Sequence, residues 1–300
     1  RPTGNKLLEY VRGAAMPYPS GAAQAELFDT VLGVAIDRYN RLWTIDHGNH
    51  GMRTARIVAI DLDTNEILRN QALSPDIAPA GSFLQDLQVS ADGNTVVIAD
   101  ASFWRKSPAI IVYDVETGEA RRVLESHASV SAENYVIRNG DREMKFFGGV
   151  VALRGGVDGI ALGPEWLYYG ALSGSGLYRV LLKDLLDESL PPSQLANRVE
   201  RIGDKPLSDG LSIDIEGNIY ITDVEHGSIF VTGAGKNLKT LIQAPDMRWP
   251  DALSFGPDGY LYIADSALAE LILQSREHIE AQGPYRIFRL QPGVDGVPGQ

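Results

Sequence analysis

The sequence contains no cysteine. That absence excludes disulfides, thiolate catalysis and zinc–cysteine sites, and it leaves the compartment open. Basic residues are scarce relative to acidic ones: 27 Lys and Arg stand against 39 Asp and Glu, a formal net charge of −12. An acidic chain repels phosphate backbones, so nucleic acid is not an expected partner. No apolar run approaches the roughly 20 residues needed to span a bilayer, so no membrane span is expected. Arg1–Ser20 does not read as a signal peptide. The chain also lacks a Gly-x-Ser-x-Gly nucleophile elbow. Ser173-Gly-Ser-Gly176 is without the lysine and following helix of a phosphate loop.

What is present is one hairpin written five times, at Val31–Gly48, Gln85–Ser102, Val157–Ser173, Ser208–Glu225 and Pro250–Ala267. Each copy has a short apolar run, a Gly- or Asp-rich turn, then an aromatic or β-branched run ending in a small or acidic residue. The turn pairs Asp92-Gly93, Glu216-Gly217 and Asp258-Gly259 suit positive φ. A second strand pair usually follows each copy, as at Ile57–Leu62, Ala109–Asp114, Gly176–Val180, Ser228–Val231 and Tyr285–Leu290. Four strands per unit, repeated radially, predict a β-propeller. The repeats span nearly all 300 residues, so one domain is expected over residues 1–300.

Three stretches interrupt the repeat. Lys183–Asp204 reads as a short helical excursion between blades. Ser126–Gly149 reads as an extended loop or extra strands. Lys6–Arg12 resembles an outer strand without its inner hairpin, so the first blade is expected to be incomplete at the N-terminus, with the natural protein extending upstream of Arg1.

The repeat gathers acids. Antiparallel strands place the opening and closing residues of each hairpin at the same end. The opening set is Asp86, Asp158, Asp209 and Asp251; the closing set is Asp46, Asp100, Asp223 and Asp265, with Ala171 in the third copy. If the first strand of each blade lines the axis, the opening set lies nearer to it. Two carboxylates ~6 Å apart at an effective dielectric of ~20 repel by roughly 3 kcal/mol. Such a ring requires a bound cation, a basic neighbour, backbone N–H donors or protonation. A hard oxygen-lined site suits Ca²⁺, and an ammonium group meets the same electrostatic need. The closing set is expected mainly to accept backbone N–H bonds. Further candidates for the rim are His47, His50, His226, Trp104 and Trp249: the histidines as bases or ligands, the indoles as stacking surfaces.

Pro17-Tyr-Pro19, Leu32–Asp37 with Arg41–Gly48, Gly156–Leu162 with Leu167-Tyr-Tyr169, Ser208–Ile213 and Trp249–Leu253 with Gly259–Tyr262 together resemble the major royal jelly protein/Yellow family, in its cysteine-free bacterial form. The resemblance implies an all-β, six-bladed β-propeller that is secreted or periplasmic. The family includes biogenic-amine binders, proteins linked to dopachrome conversion and storage proteins. More distantly, the chain is similar to calcium-dependent lactonases of the gluconolactonase/regucalcin type, whose metal is held by a Glu, an Asn and an Asp. In that likeness Asp209 matches the Asp, Asp158 stands where an Asn is expected, and the Glu belongs to the missing hairpin.

Three functions follow as expectations. The first is a propeller that binds, and could convert, a small molecule at the acidic mouth of its channel through Asp86, Asp158, Asp209 and Asp251, with His47, His226 and Trp249 nearby. The second is a Ca²⁺-dependent lactonase with Asp158 and Asp209 on the metal. The third is a non-catalytic interaction scaffold.

Overall fold

Each hairpin forms because its turn carries the residues that the turn needs. Gly93, Gly217 and Gly259 sit at φ +73°, +76° and +74°, where a Cβ would be strained. In the fourth copy the Asp214 carboxylate accepts the N–H groups of Glu216 and Asn218 and the Tyr220 hydroxyl, which locks the reversal. The hairpins are the inner strand pairs of five sheets in a computed structural model that describes residues 4–233 and 235–300.

Blade 1 comprises Val31–Ile36, Arg41–Asp46, Arg56–Asp61 and Ile67–Ala72. Blade 2 comprises Leu84–Val89, Thr95–Asp100, Ala109–Asp114 and Ala120–Val123. Blade 3 comprises Val157–Leu162, Trp166–Ala171, Gly176–Leu181 and Glu200–Asp204. Blade 4 comprises Leu211–Ile213, Ile219–Asp223, Ser228–Thr232 and Lys239–Gln243. Blade 5 has three strands, Pro250–Phe255, Leu261–Asp265 and Arg286–Leu290. All pairings are antiparallel, and the inner strands stand side by side in chain order. The protein is an all-β propeller, and no helix among the described residues is long and apolar enough to cross a membrane.

Adjacent blades bury apolar cores between their faces. Ile45, Ile57, Leu87 and Ile98 join blades 1 and 2. Val97, Ile110, Ile160 and Tyr169 join blades 2 and 3. Leu177, Leu211 and Ile221 join blades 3 and 4, and Ile229, Leu253 and Ile263 join blades 4 and 5. No such core joins blade 5 to blade 1 among the described residues. There Val34 and Ile36 are about half exposed, Ile287 is 72% exposed, and an open slot of about 750 Å³ runs between the two blades.

The expected six blades are therefore five here. Lys6–Arg12 does yield a strand, Leu8–Val11, but it pairs only with Ala14–Pro17 as an exposed hairpin. Leu7, Tyr18, Leu27 and Phe28 at its base pack on Val31, Leu42, Val58 and Ile60 of blade 1. Lys183–Asp204 is helical only at Leu182–Leu186 and Pro192–Ala196; its end becomes the outer strand of blade 3. Ser126–Gly149 carries short extra strands, and its Ile137, Met144 and Phe146 pack with Phe103, Leu207 and Trp249 across one end of the ring.

Four inner strands share an irregularity. In blades 1, 2, 3 and 5 the register shifts at Val31/Val34, Leu84/Leu87, Val157/Ile160 and Pro250/Ala252, so the bulge falls on the opening residue of those four copies, while in blade 4 Asp209 lies just before the paired strand. A bulge re-aims side chains, and here it turns the acid toward the axis. Gly159 and Gly210 sit beside it for a reason other than ligand access. A Cβ on Gly159 would run into the Asp209 carbonyl, and one on Gly210 into the Asp251 carbonyl. Gly33 likewise faces the Gln85 carbonyl, at 2.7 Å from its would-be Cβ. Gly210→Ala is expected to destabilise the fold by about 1–3 kcal/mol, the usual cost of overpacking a tight site. Urea unfolding followed by tyrosine and tryptophan fluorescence checks this, and an unchanged midpoint contradicts it.

Candidate functional site

Bulges place Asp86, Asp158 and Asp251 in one space at one end of the channel. Asp209, at the start of the fourth inner strand, joins them there, and all four line the same cavity of about 290 Å³. Their partners differ. Asp86 accepts the Leu87 N–H at 2.8 Å and, from the next blade, the Ile160 N–H at 3.1 Å. Asp209 accepts the Trp249 indole N–H at 2.7 Å, a bond between blades 4 and 5. Asp158 is 3% exposed and is set against the carboxyls of Asp209 and Asp251.

Burial and mutual repulsion raise the pKa values of the set. Loss of water pushes the Asp86 carboxyl up to about 7, with the Asp251 charge adding to it. Burial, then the neighbouring carboxylates, hold Asp158 well above the usual range. Asp209 rises for the same two reasons, and Asp251 rises chiefly through burial. These four groups cannot all be ionised together without a counter-charge.

One counter-charge comes from Lys205, which the sequence reading missed. It is 4% exposed, and its Nζ donates to the carbonyls of Ala171 and Pro206 at 2.8 and 3.1 Å. Burial lowers its pKa to about 7, while Asp158, Glu133 and Asp209 pull it back up. The signal was Ala171 itself. Where the other copies close on an acid that binds backbone N–H groups, the third copy closes on alanine, and the lysine chain takes the space beside Gly170.

Above the acids lies a second cavity of about 340 Å³, with Asp158, Asp209 and Asp251 at its base. Its walls are apolar and aromatic: Phe83, Phe103, Trp104, Phe146, Phe147, Leu153, Leu268 and Ile272, with His50. The His50 ring stacks on Phe83 at 4.5 Å and meets Trp104 edge-on at 6.4 Å. Gly48, Asn49, His50 and Gly51 all have φ between +51° and +67°, one left-handed turn that aims the imidazole inward. Phe147 and Leu273 on the same walls also have positive φ. Left-handed non-glycine residues cost of order 1–2 kcal/mol each, and they concentrate at sites where position matters more than stability. Burial lowers the His50 pKa, so its ring is neutral near pH 7.

The other candidates are placed differently. His47 is buried behind His50, where its Nδ1 accepts the His50 N–H at 2.7 Å, and it lines neither cavity. His226 is largely exposed and holds Asp223 at 2.9 Å. Trp249 is fully buried, so it braces Asp209 and offers no stacking face. Trp104, half exposed, does face the upper cavity. The closing acids accept backbone N–H bonds as expected: Asp46 from Asp29, Thr30 and Gly48, Asp265 from Arg248 and Trp249. Asp100 and Asp265 are also paired with Arg122 and Arg248.

A metal fits this donor set poorly. Ca²⁺ takes about six to eight oxygen ligands. Here Asp86 and Asp209 already spend oxygens on N–H donors, and among the described residues no three His, Asp or Glu side chains gather as a metal site.

The Major royal jelly protein family profile matches residues 29–282. The chain belongs to that family. No curated protein matches it. Among solved structures, a luciferin-regenerating enzyme is 12% identical at a TM-score of 0.60, covering 90% of this chain and 81% of its own. A gluconolactonase from Xanthomonas campestris is 15% identical at 0.55, covering 87% and 75%. A propeller from a nidogen/laminin complex is 12% identical at 0.53, covering 86% and 80%. At these identities the likeness is one of fold, so the family's chemistry in this chain rests on its own site.

A carboxyl whose folded pKa is raised binds its proton more tightly in the native state than in the unfolded one. Stability from Asp86 is therefore full below about pH 4 and is lost as pH rises toward about 7. Denaturant midpoints taken from pH 4 to 8 are expected to fall across that window, and Asp86→Asn is expected to flatten the fall. An identical profile in the variant contradicts the assignment.

Proposed function

We propose that this propeller binds a small organic cation, an aromatic amine, at the aromatic mouth of its channel. The observation that carries the reading is the buried Asp158 carboxyl, set against those of Asp209 and Asp251 at the base of an aromatic vestibule. An ammonium group offers up to three N–H donors to the acids and gains from aromatic faces, which the rings of Phe83, Phe103 and Trp104 supply. Its charge also relieves the repulsion among Asp158, Asp209 and Asp251. The family resemblance, which includes amine binders, points the same way. His50, neutral and facing the vestibule, can accept a proton from a bound ligand and so is the residue best placed for any conversion. The same reading takes the protein as secreted or periplasmic.

Calorimetry with 2-phenylethylamine, Ca²⁺ and a lactone panel tests the reading. Amine binding is expected to weaken at least tenfold in Asp158→Asn, about 1.4 kcal/mol, with the loss growing as pH rises and the acids ionise. Ca²⁺ binding together with lactone hydrolysis that EDTA abolishes would replace it by the lactonase reading. No binding of either would favour a scaffold.

We also take the slot between blades 5 and 1 as the seat of a sixth blade, with the hairpin Leu8–Pro17 as its outer pair. The half-exposed Val34 and Ile36 and the exposed Ile287 support this, since alternate apolar residues on a strand mark a face built for packing. An experimental structure of the protein is expected to show strands between Ile36 and Ser254; a solvent-filled slot refutes it.

A further inference from the structure

The lower end of the channel is crossed by a single segment. Ile215 N–H donates to the Asp295 carbonyl, and Val297 N–H donates to the Ile213 carbonyl, which ties the segment to blade 4. Phe255 N–H donates to the Gln300 carbonyl at 2.7 Å, which ties it to blade 5. Gly299, at φ +95°, turns the chain inward beside the Ile36 carbonyl of blade 1. The Gln300 side chain then enters the channel. Its Oε1 accepts the Leu162 N–H of blade 3 at 2.8 Å, and its Nε2 donates to Gln88 Oε1 of blade 2 at 2.6 Å. One stretch of six residues thus hydrogen-bonds to blades 2, 3, 4 and 5 and passes the edge of blade 1, and Gln300 is 3% exposed.

These contacts lie at the opposite end of the inner strands from the acids. Asp158 opens the blade 3 strand and Leu162 closes it, four residues or about 13 Å away at strand rise. The same 290 Å³ cavity is bounded by the carboxylates above and by Gln88 and Gln300 below. We infer that Gln300 is the floor of the binding channel: it seals the far end, confines entry to the aromatic mouth, and sets how far a ligand can extend beneath the carboxylates. A buried amide suits the task. It satisfies a strand-end N–H and a glutamine carbonyl that a side chain of another kind would leave unpaired.

The ligand half of this inference rests on the amine reading; the sealing half does not, so the test has two arms. In the first, amide hydrogen exchange is followed in Gln300→Ala. The Leu162 amide is expected to exchange at least tenfold faster, while Phe255, whose acceptor is the retained Gln300 backbone carbonyl, keeps its protection. Unchanged protection at Leu162 overturns the inference. In the second, affinities are measured for N-alkyl phenylethylamines from methyl to octyl, the chain on nitrogen pointing down the channel. The native protein is expected to lose affinity at least tenfold beyond a definite chain length. That limit is expected to move by two or more carbons in Gln300→Ala, and by less in Gln300→Asn, which keeps the amide on a shorter stem. A limit that does not move overturns Gln300 as the floor. Failure of every amine to bind, with faster exchange at Leu162, refutes the amine reading and upholds the seal.

Discussion

The contact on which the rest of the molecule depends is backbone against backbone between neighbouring inner strands. Gly33, Gly159 and Gly210 have no side chain, and the next strand's carbonyl or Cα occupies the space a Cβ would need. That approach draws the strands together at one end, and the bulges there aim the opening acids at a common centre. The electrostatic tension of the site follows from this packing. Four carboxyls are brought into one small space because the strands that carry them cannot close in any other way.

The protein manages this tension unevenly. Asp86 is held by N–H groups from two blades, and Asp209 by the Trp249 indole. Lys205 lies beneath the third hairpin as a buried cation. Asp158 is buried against the carboxyls of Asp209 and Asp251. The closing acids are of the same type, at the same end of the same hairpins, and carry a different load. Asp46 collects three backbone N–H groups, and Asp100 and Asp265 are each paired with an arginine. Distance from the axis separates the two roles. Close to the axis there is no loop backbone to donate; one strand further out there is.

The ring is asymmetric along and around its axis. Its upper mouth is walled by aromatic residues on loops, several of them in left-handed conformations, and the insertion around Ile137–Phe146 packs across it. Its lower end is crossed by Asp295–Gln300, whose hydrogen bonds tie together blades 2, 3, 4 and 5. Between blades 5 and 1, where no interblade core forms, that segment provides the link from Phe255 to the edge of Ile36.

Local pattern was enough for much of this. Alternation, turn glycines and the five-fold repeat specified the hairpins, the propeller and the shared phase of Asp86, Asp158, Asp209 and Asp251, because strand geometry fixes which end a residue occupies. It also separated closing from opening acids. Contacts between residues distant in sequence were beyond its reach. That Gly159 and Gly210 serve the neighbouring blade, that Trp249 braces an aspartate, that His50 faces the vestibule while His47 lies behind it, and that Lys205 and Gln300 reach the channel at all depended on where separate blades and loops meet. A repeat encodes its own unit and its phase. Which side chains fill the spaces between units, and whether the ring closes, is decided only when the units pack.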